Sequence, residues 1–291
     1  MNSSIIILMP YFGKWPHWIE LFLESCRRNP TVHWVFISDC GRLANFPNNV
    51  EYRESSFADY SDYVSKRLSI NFKPESAYKL CDIRPAFGYI HSDIIRGYDF
   101  WGFGDLDLIY GNLRAVYTDE YLEKHDLISN HATRVSGHLC LIRNTEEMRS
   151  MFKKIPNWQG RFSDKKHQAV DEKAFSKLFV KHKNLPTWLR GVLTKAFYPL
   201  SRRTSFVERF TTPDGCIAWR DGTYRFPEEW YWSRDGLSSS FQEKEDIPYF
   251  HFAVWKKSTW PSEASEIFIL YDENKKYRFT SRGIDVLESD T

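Results

Sequence analysis

The 291-residue chain has few cysteines, no long apolar run and no excess of charge of either sign. Its five cysteines, Cys26, Cys40, Cys81, Cys140 and Cys216, are odd in number and widely spaced. That excludes a disulfide framework and a zinc site built from close pairs, and leaves reduced core thiols. The N-terminal apolar run covers only Ile5 to Met9 and lacks a basic lead-in, and no segment approaches the roughly 20 apolar residues of a membrane span. A cytoplasmic protein is expected. Lys and Arg number 40 against 38 Asp and Glu, a formal charge of +2 with the signs interspersed, so a nucleic-acid footprint is excluded as a whole-surface property. The 14 glycines form neither Gly-x-x-x-x-Gly-Lys-Ser nor Gly-x-Gly-x-x-Gly, which removes the common phosphate loops.

What is present is a 42% hydrophobic composition, ample for a continuous core, and an aromatic content of 17% that includes 11 tryptophans. Aromatic rings fill cores, and they also stack against sugars and bases. The run Ile5-Ile6-Ile7-Leu8-Met9 closed by Pro10 predicts a strand buried on both faces, followed by a helix over Trp15 to Arg28. Trp34 to Ile37 and Val50 to Tyr52 predict two more strands, with a helix over Asp59 to Ser69. A longer helical region is expected from Glu75 to Gly97, then a strand over Tyr98 to Gly104. Further strands are expected at Asp126 to Ser129, His138 to Ile142 and Tyr249 to Trp255, with helices at Thr145 to Lys154 and around His167 to Lys181. A terminal hairpin is expected from Ile267–Leu270 to Tyr277–Phe279. Alternating strands and helices imply a mainly parallel α/β sheet, whose ligands bind beyond the carboxyl ends of the strands. Tyr11 and Asp39, directly after the first two strands, are therefore candidate nucleotide contacts.

Asp105-Leu106-Asp107 follows a glycine-flanked hydrophobic strand, so two carboxylates emerge on one side with an apolar residue between them. Such a pair suits Mg²⁺ or Mn²⁺, which take a few protein carboxylates and complete their shells with water and substrate phosphates. Asp-x-Asp is common by chance in solvated turns. Here it sits inside Phe-Trp-Gly-Phe-Gly-Asp-Leu-Asp-Leu-Ile-Tyr-Gly, where turn aspartates are rare. Just upstream, Lys79, Asp82 and Arg84 supply two cations and a carboxylate. Lys79 or Arg84 would hold a phosphate and Asp82 the ribose or base; alternatively they form a salt-bridged helix end before Pro85.

These residues resemble the GT-A glycosyltransferases, whose signature is an Asp-x-Asp at the end of a central strand some hundred residues after an apolar first strand. The segment is similar to Gly-Asp-x-Asp-x-x-x-Gly of bacterial polysaccharide transferases. Tyr249-Phe250-His251-Phe252-Ala253-Val254-Trp255-Lys256-Lys257 is similar to the closing His-x-x-Gly-x-x-Lys-Pro-Trp of the glycogenin-like and lipopolysaccharide galactosyltransferase group, with Val254 for the glycine and Ser258 for the proline. The resemblance implies a Rossmann-like, mainly parallel sheet flanked by helices with a smaller C-terminal acceptor-side region. Residues 1–145 would bind the nucleotide-sugar, and 146–291 would complete the same catalytic domain. It implies a metal held by Asp105, Asp107 and His251, with Lys256 or Lys257 clamping the diphosphate.

An inverting transferase also needs a carboxylate to deprotonate its acceptor. Asp171-Glu172, opening a helix whose apolar residues share one face, is the candidate pair, although acidic residues also simply favour a first turn. Ser136-Gly137-His138, before a strand, is the candidate donor-sugar pocket. From Lys181 to Phe210 seven cations interleave with apolar residues at helical spacing, the composition either of a membrane-surface helix suited to a lipid-linked acceptor or of a packed helix with a basic face. The expected activity is transfer of a hexose, galactose foremost, from a nucleotide diphosphate donor (UDP by base rate) to a surface polysaccharide or lipid-linked glycan, with inversion. Metal-dependent nucleotidyl or phosphoryl transfer, and a non-catalytic glycan-binding scaffold, are the alternatives.

Overall fold

The computed structural model describes residues 3–181, 185–186, 189, 192–193, 196–241, 246–258, 260 and 268–288. Strand β1 (Ile5–Pro10) is the apolar run expected, and its alternate side chains enter opposite cores, as the two-residue strand period requires. Helix α1 (Ile19–Arg27) follows, carrying Glu20 in its first turn and Arg27 in its last, each matched to the helix dipole. Next come β2 (Val32–Ser38), β3 (Val50–Glu54) and helix α2 (Phe57–Leu68). Ser56 caps α2 by accepting from the Asp59 amide at 3.1 Å, and Ser69 ends it with a left-handed φ of 53°.

The region from 75 to 97 is not one helix. It forms the short turns Ala77–Lys79, Leu80–Ile83, Arg84–Ala86 and Phe87–Ile90. Pro85 removes a backbone donor, and Gly88 lies so close to the Trp101 ring that an added Cβ would fall 2.4 Å from it. Packing against the sheet therefore overrides helical periodicity.

Strands β4 (Phe100–Gly104), β5 (Leu108–Tyr110), β6 (Leu127–Ser129), β7 (Leu139–Arg143) and β8 (Thr204–Phe206) follow. The main sheet has seven strands in the order β3-β2-β1-β4-β7-β6-β8. Only β7 runs antiparallel to its neighbours, so the mainly parallel α/β sheet implied by the sequence is present. The glycines of β4 make room for β7: a Cβ on Gly102 would lie 2.6 Å from the Cys140 carbonyl.

The C-terminal part adds β9 (Glu229–Ser233), β10 (Gly236–Ser239), β11 (Tyr249–His251), β12 (Lys275–Thr280) and β13 (Gly283–Glu288). Four of these form an antiparallel sheet in the order β10-β9-β12-β13, while β11 pairs with β5. The terminal hairpin is therefore β12–β13. Residues 268–270 form no strand, and the Ile269 amide bonds to the His17 carbonyl instead. The strand expected over 249–255 stops at His251, and Ala253–Ser258 turns into a helix.

Two apolar clusters cover the faces of the main sheet; a third, around Trp230, Trp232, Phe250 and Phe279, joins the C-terminal sheet to Trp18 and Leu21 beside and within α1. Among the described residues no helix is long and apolar enough to cross a membrane. Within the basic stretch 181–210, residues 182–184, 187–188, 190–191 and 194–195 lie outside the described residues.

Candidate active site

Because β1, β2, β4, β6 and β8 run in the same direction, their carboxyl ends open on one edge of the sheet. A cavity of about 610 Å³ lies there. Asp105 and Asp107 leave β4 into this cavity. The antiparallel register of β11 on β5 sets His251 opposite Leu108, one residue beyond Asp107, so a residue far along the chain arrives beside the acidic pair. Ligand atoms of Asp105, Asp107 and His251 all lie within 4.8 Å of one another.

Asp107 is only 5% exposed and His251 8%. His251 Nε2 and Asp107 Oδ1 stand 3.5 Å apart, and neither has a hydrogen-bond partner. Thr212 Oγ1 lies 2.8 Å from His251 Nδ1. When Nδ1 carries the proton and donates to Thr212, Nε2 keeps a lone pair facing the carboxylate, so two buried acceptors confront one another and a cation between them satisfies both. Lys256 Nζ approaches the other oxygen, Oδ2, at 3.2 Å. Burial alone would raise the Asp107 carboxyl, but the neighbouring His251 and Lys256 outweigh it and hold the group below the usual carboxylate range. Two carboxylates and an imidazole form a donor set that fits a divalent ion such as Mn²⁺.

Arg84 binds the rest of the site together. Its guanidinium pairs with Asp105, donates to the Gly137 carbonyl at 3.1 Å and stands 3.6 Å from Asp171. Burial would lower its proton affinity, yet Asp105, Cys81 and Asp171 raise it further, so Arg84 is a permanent cation. Gly137 leaves the guanidinium its place, since a Cβ there would lie 2.9 Å from Arg84 Nη1 and the Arg84 side chain would have to shift. Asp171 is buried, and that burial pushes its carboxyl up to about 7 against the opposing pull of Arg84. It opens a π-helical turn, Asp171–Phe175, that continues as Ser176–Phe179. Glu172 also lines the cavity, 3.5 Å from Arg134.

The other residues singled out in the sequence divide between the cavity and its supports. Tyr11, His138, Lys256 and Lys257 line it. Tyr11 stacks on Trp15 with ring centroids 5.6 Å apart, and His138 stacks on His251 at 4.4 Å. Asp39 is exposed and outside the cavity; it accepts from the Gly13 amide at 2.8 Å, tying down the loop that begins at Tyr11. Ser136 is buried and bonds within the 129–139 loop, to the Leu139 carbonyl and the Asn130 amide.

Lys79 and Asp82 do not reach the cavity either, because they are 1% and 0% exposed and satisfy each other. Lys79 donates to Asp82 at 2.7 Å and to the carbonyls of Arg161 and Lys166 at 2.9 Å. Asp82 accepts from the Gln168 and Val170 amides at 2.8 Å. This pair is a buried clamp on the segment that delivers Asp171, which is the salt-bridge alternative rather than a phosphate or ribose contact.

Sequence reasoning missed Thr212, His131 and Glu208, all on the cavity wall. Glu208 follows the short strand β8, concealed in the sequence by its basic surroundings.

Residues 7–278 match the model of a family of unknown function, DUF6625. No curated protein matches the chain in sequence. Among solved structures, the chain is similar to the galactosyltransferase LgtC in complex with donor and acceptor sugar analogues, at 9% identity and a TM-score of 0.43, over 86% of this chain and 87% of that one. An active-site mutant of LgtC matches at 10% identity and 0.43 over the same shares. Mouse xyloside xylosyltransferase 1, in its apo form, matches at 12% and 0.41, over 86% and 97%. These are likenesses of fold.

Proposed function

The chain belongs to the DUF6625 family, whose function is unknown, and we propose that it is a metal-dependent glycosyltransferase moving a hexose from a nucleoside diphosphate donor to a glycan or lipid-linked acceptor. The observation that carries this reading is the Asp105–Asp107–His251 triad, closing to within 4.8 Å at the strand ends, in a cavity that also receives Lys256, Lys257 and Arg84. A leaving diphosphate needs such a concentration of positive charge, and a divalent ion held by the triad would supply the largest part of it.

The chain's own residues divide the remaining work. Tyr11 offers a ring face to the base at the β1 end, with UDP the expected nucleotide. Lys256 and Lys257 orient the phosphates, and being fixed before reaction they stabilise the departing charge without reorganisation. Arg84, Gly137 and Asp171 form the wall against which the donor sugar lies. Glu172, open to the cavity, and Asp171 behind it are the carboxyls placed to take the acceptor proton, so an inverted product is expected. Residues 1–145 supply most of the donor side, and 146–291 complete the same catalytic domain, adding Asp171, Lys256 and Lys257 to the donor and most of the acceptor side. The exposed Val192 and Phe197, within the basic stretch 181–210, suit contact with a lipid-linked acceptor at a membrane surface.

Calorimetric titration of UDP, GDP, CMP and ADP into the protein, with and without Mn²⁺, tests the reading. One nucleotide is expected to bind only with metal, and the Asp105→Ala/Asp107→Ala double variant is expected to lose that binding. Failure of every nucleotide to bind the unaltered protein removes the proposal. Anomeric configuration of the product, read by NMR, tests the inversion.

A further inference from the structure

We propose that the end of the cavity beneath β6 and β8 is a subsite for a neutral pyranose, the terminal sugar of the acceptor, built from Phe210, Glu208 and His131. The proposal deepens the glycosyl-transfer reading and rests on it for the word acceptor. Its first ground is topological. Across the sheet the order is β1, β4, β7, β6, β8, and the strand ends deliver Tyr11, Asp105, His131 and Glu208 in that sequence to one edge. Asp105, and with it the metal triad, therefore separates the base-stacking end from His131 and Glu208. A sugar attached to the diphosphate would occupy the Arg84–Gly137–Asp171 wall, and the space beyond it belongs to what receives that sugar.

The second ground is polar. Glu208 Oε2 is buried with no hydrogen-bond partner, 3.8 Å from His131 Nδ1. Its other oxygen, Oε1, accepts from the Phe210 amide at 3.4 Å. The Thr133 amide donates to His131 Nδ1 at 3.2 Å, which leaves Nε2 of that ring as the N–H donor. A partly satisfied buried carboxyl beside an imidazole is costly unless a ligand completes it. Vicinal hydroxyls, which donate and accept together, are the chemistry that does so. Burial also pushes the Glu208 carboxyl up, against the pull of backbone amides at Phe210 and Ala132.

The third ground is strain. Among the described residues, four non-glycine residues have a left-handed φ: Ser69 and Asn157 sit at helix ends outside the cavity lining, whereas Ala169 (52°), which leads into the turn at Asp171, and Phe210 (55°) both line it. A bulky residue is sterically disfavoured in that region, and such strain concentrates at ligand sites. At Phe210 it brings the ring to the cavity wall, edge-packed 5.4 Å from Trp219 and with the Arg220 guanidinium 5.4 Å over one face, which leaves the other face for a ligand. An aromatic face beside a hydroxyl-binding carboxyl matches the apolar face and polar rim of a pyranose. Glu208, Glu172 and Asp214 line the cavity along with Arg134, which pairs with Glu172 at 3.5 Å, so a carboxylate brought beside Glu208 would meet like charge and a sugar acid is disfavoured there. The segment is also tied to the triad: the His251 amide donates to the Thr211 carbonyl at 2.9 Å.

The test is saturation-transfer NMR on the full chain with UDP and Mn²⁺, using methyl β-D-galactopyranoside, methyl β-D-glucopyranoside and a methyl glucuronide as probes. At least one neutral glycoside is expected to bind in preference to the glucuronide. The isosteric Glu208→Gln variant, checked by thermal melting, is expected to weaken it about tenfold, the loss of one hydrogen bond to a charged group. Phe210→Leu, which keeps the bulk without the ring, is expected to weaken it as well. Neutral glycosides that bind both variants as they bind the unaltered chain overturn the subsite, and so does the absence of glycoside binding to the unaltered chain. UDP affinity in the same samples reports on the donor end alone: glycoside binding lost in Glu208→Gln but with no UDP binding at all sinks the transfer reaction and leaves a sugar-binding site.

Discussion

Thr212 shows how much of the site depends on a residue with no charge. Its hydroxyl is the partner of His251 Nδ1, and that contact decides which ring nitrogen faces Asp107. Thr212→Val keeps the shape and removes the partner. Mn²⁺ affinity is expected to fall by about 10- to 100-fold, the range for such supporting partners, and a calorimetric titration with metal alone measures it; unchanged affinity means the ring is held by packing against His138. Asp171 carries a second prediction. Its carboxyl is raised from 3.8 to about 7, so the folded chain holds a proton there that the unfolded chain has released. The stabilising contribution of this group is complete below about pH 4 and is lost as pH rises through 7, by at most about 4 kcal/mol. Asp171→Asn should flatten that fall, read from urea unfolding at pH 4, 6 and 8, while the rate of transfer by the unaltered chain should rise through the same window if Asp171 must accept a proton. Asp105 and Asp107 were legible in the sequence because an acidic pair between apolar neighbours is chemically costly without a ligand. Thr212 and Glu208 were not, because nothing in Thr-Thr-Pro-Asp-Gly or in a lone acid among cations signals what will face it.

Individual strands and α2 were readable from periodicity, whereas interruptions and pairings depended on distant partners. The turns between Ala77 and Ile90 have the composition of a helix, but Pro85 and the contact of Gly88 with Trp101 divide them. That division leaves Arg84 at the cavity and Lys79 with Asp82 beneath it. The pairing of β11 with β5, which completes the triad, joins segments more than a hundred residues apart and leaves no local trace in either. The buried Lys79–Asp82 pair has its own testable consequence, because it fixes the backbone at Arg161, Lys166, Gln168 and Val170 just ahead of Asp171. Lys79→Met leaves a carboxylate buried without its cation and is expected to cost about 3–5 kcal/mol in chemical denaturation. The double variant Lys79→Met/Asp82→Leu, which buries no charge, should recover part of that loss. Hydrogen exchange over 164–172 should still accelerate in the double variant, since the amides of Gln168 and Val170 lose their acceptor. Unaltered exchange there would show that the segment holds its shape without the clamp.

At the scale of the molecule, the metal triad is a junction. Asp105 and Asp107 belong to the main sheet, while His251 comes from β11, whose neighbour Phe250 packs with Trp230 of the C-terminal sheet at 4.5 Å. The residues beside and within α1 join the same two bodies: Trp18 and Leu21 enter the third apolar cluster, Ile19 and Phe22 enter the second, and Arg28 lies over the Trp232 ring at 4.6 Å. Apolar packing thus holds the two sheets together independently of the triad, and a bound ion adds a further link at the cavity. A ligand that binds only the folded chain stabilises it by mass action, about 2.7 kcal/mol at a hundred times its Kd, or roughly 5–10 °C in Tm for a chain of this size. Since phosphate oxygens are the ligands a half-filled metal shell lacks, UDP and Mn²⁺ should each raise the affinity of the other by the same factor. Thermal melting is therefore expected to rise little with either alone and markedly with both, and to return to its starting value on adding a chelator. Asp107→Ala should abolish the joint effect. Equal stabilisation by UDP with and without Mn²⁺ would show that Arg84, Lys256 and Lys257 bind the diphosphate unaided, and that the two buried acceptors at Asp107 and His251 are reconciled by a proton instead of a metal ion.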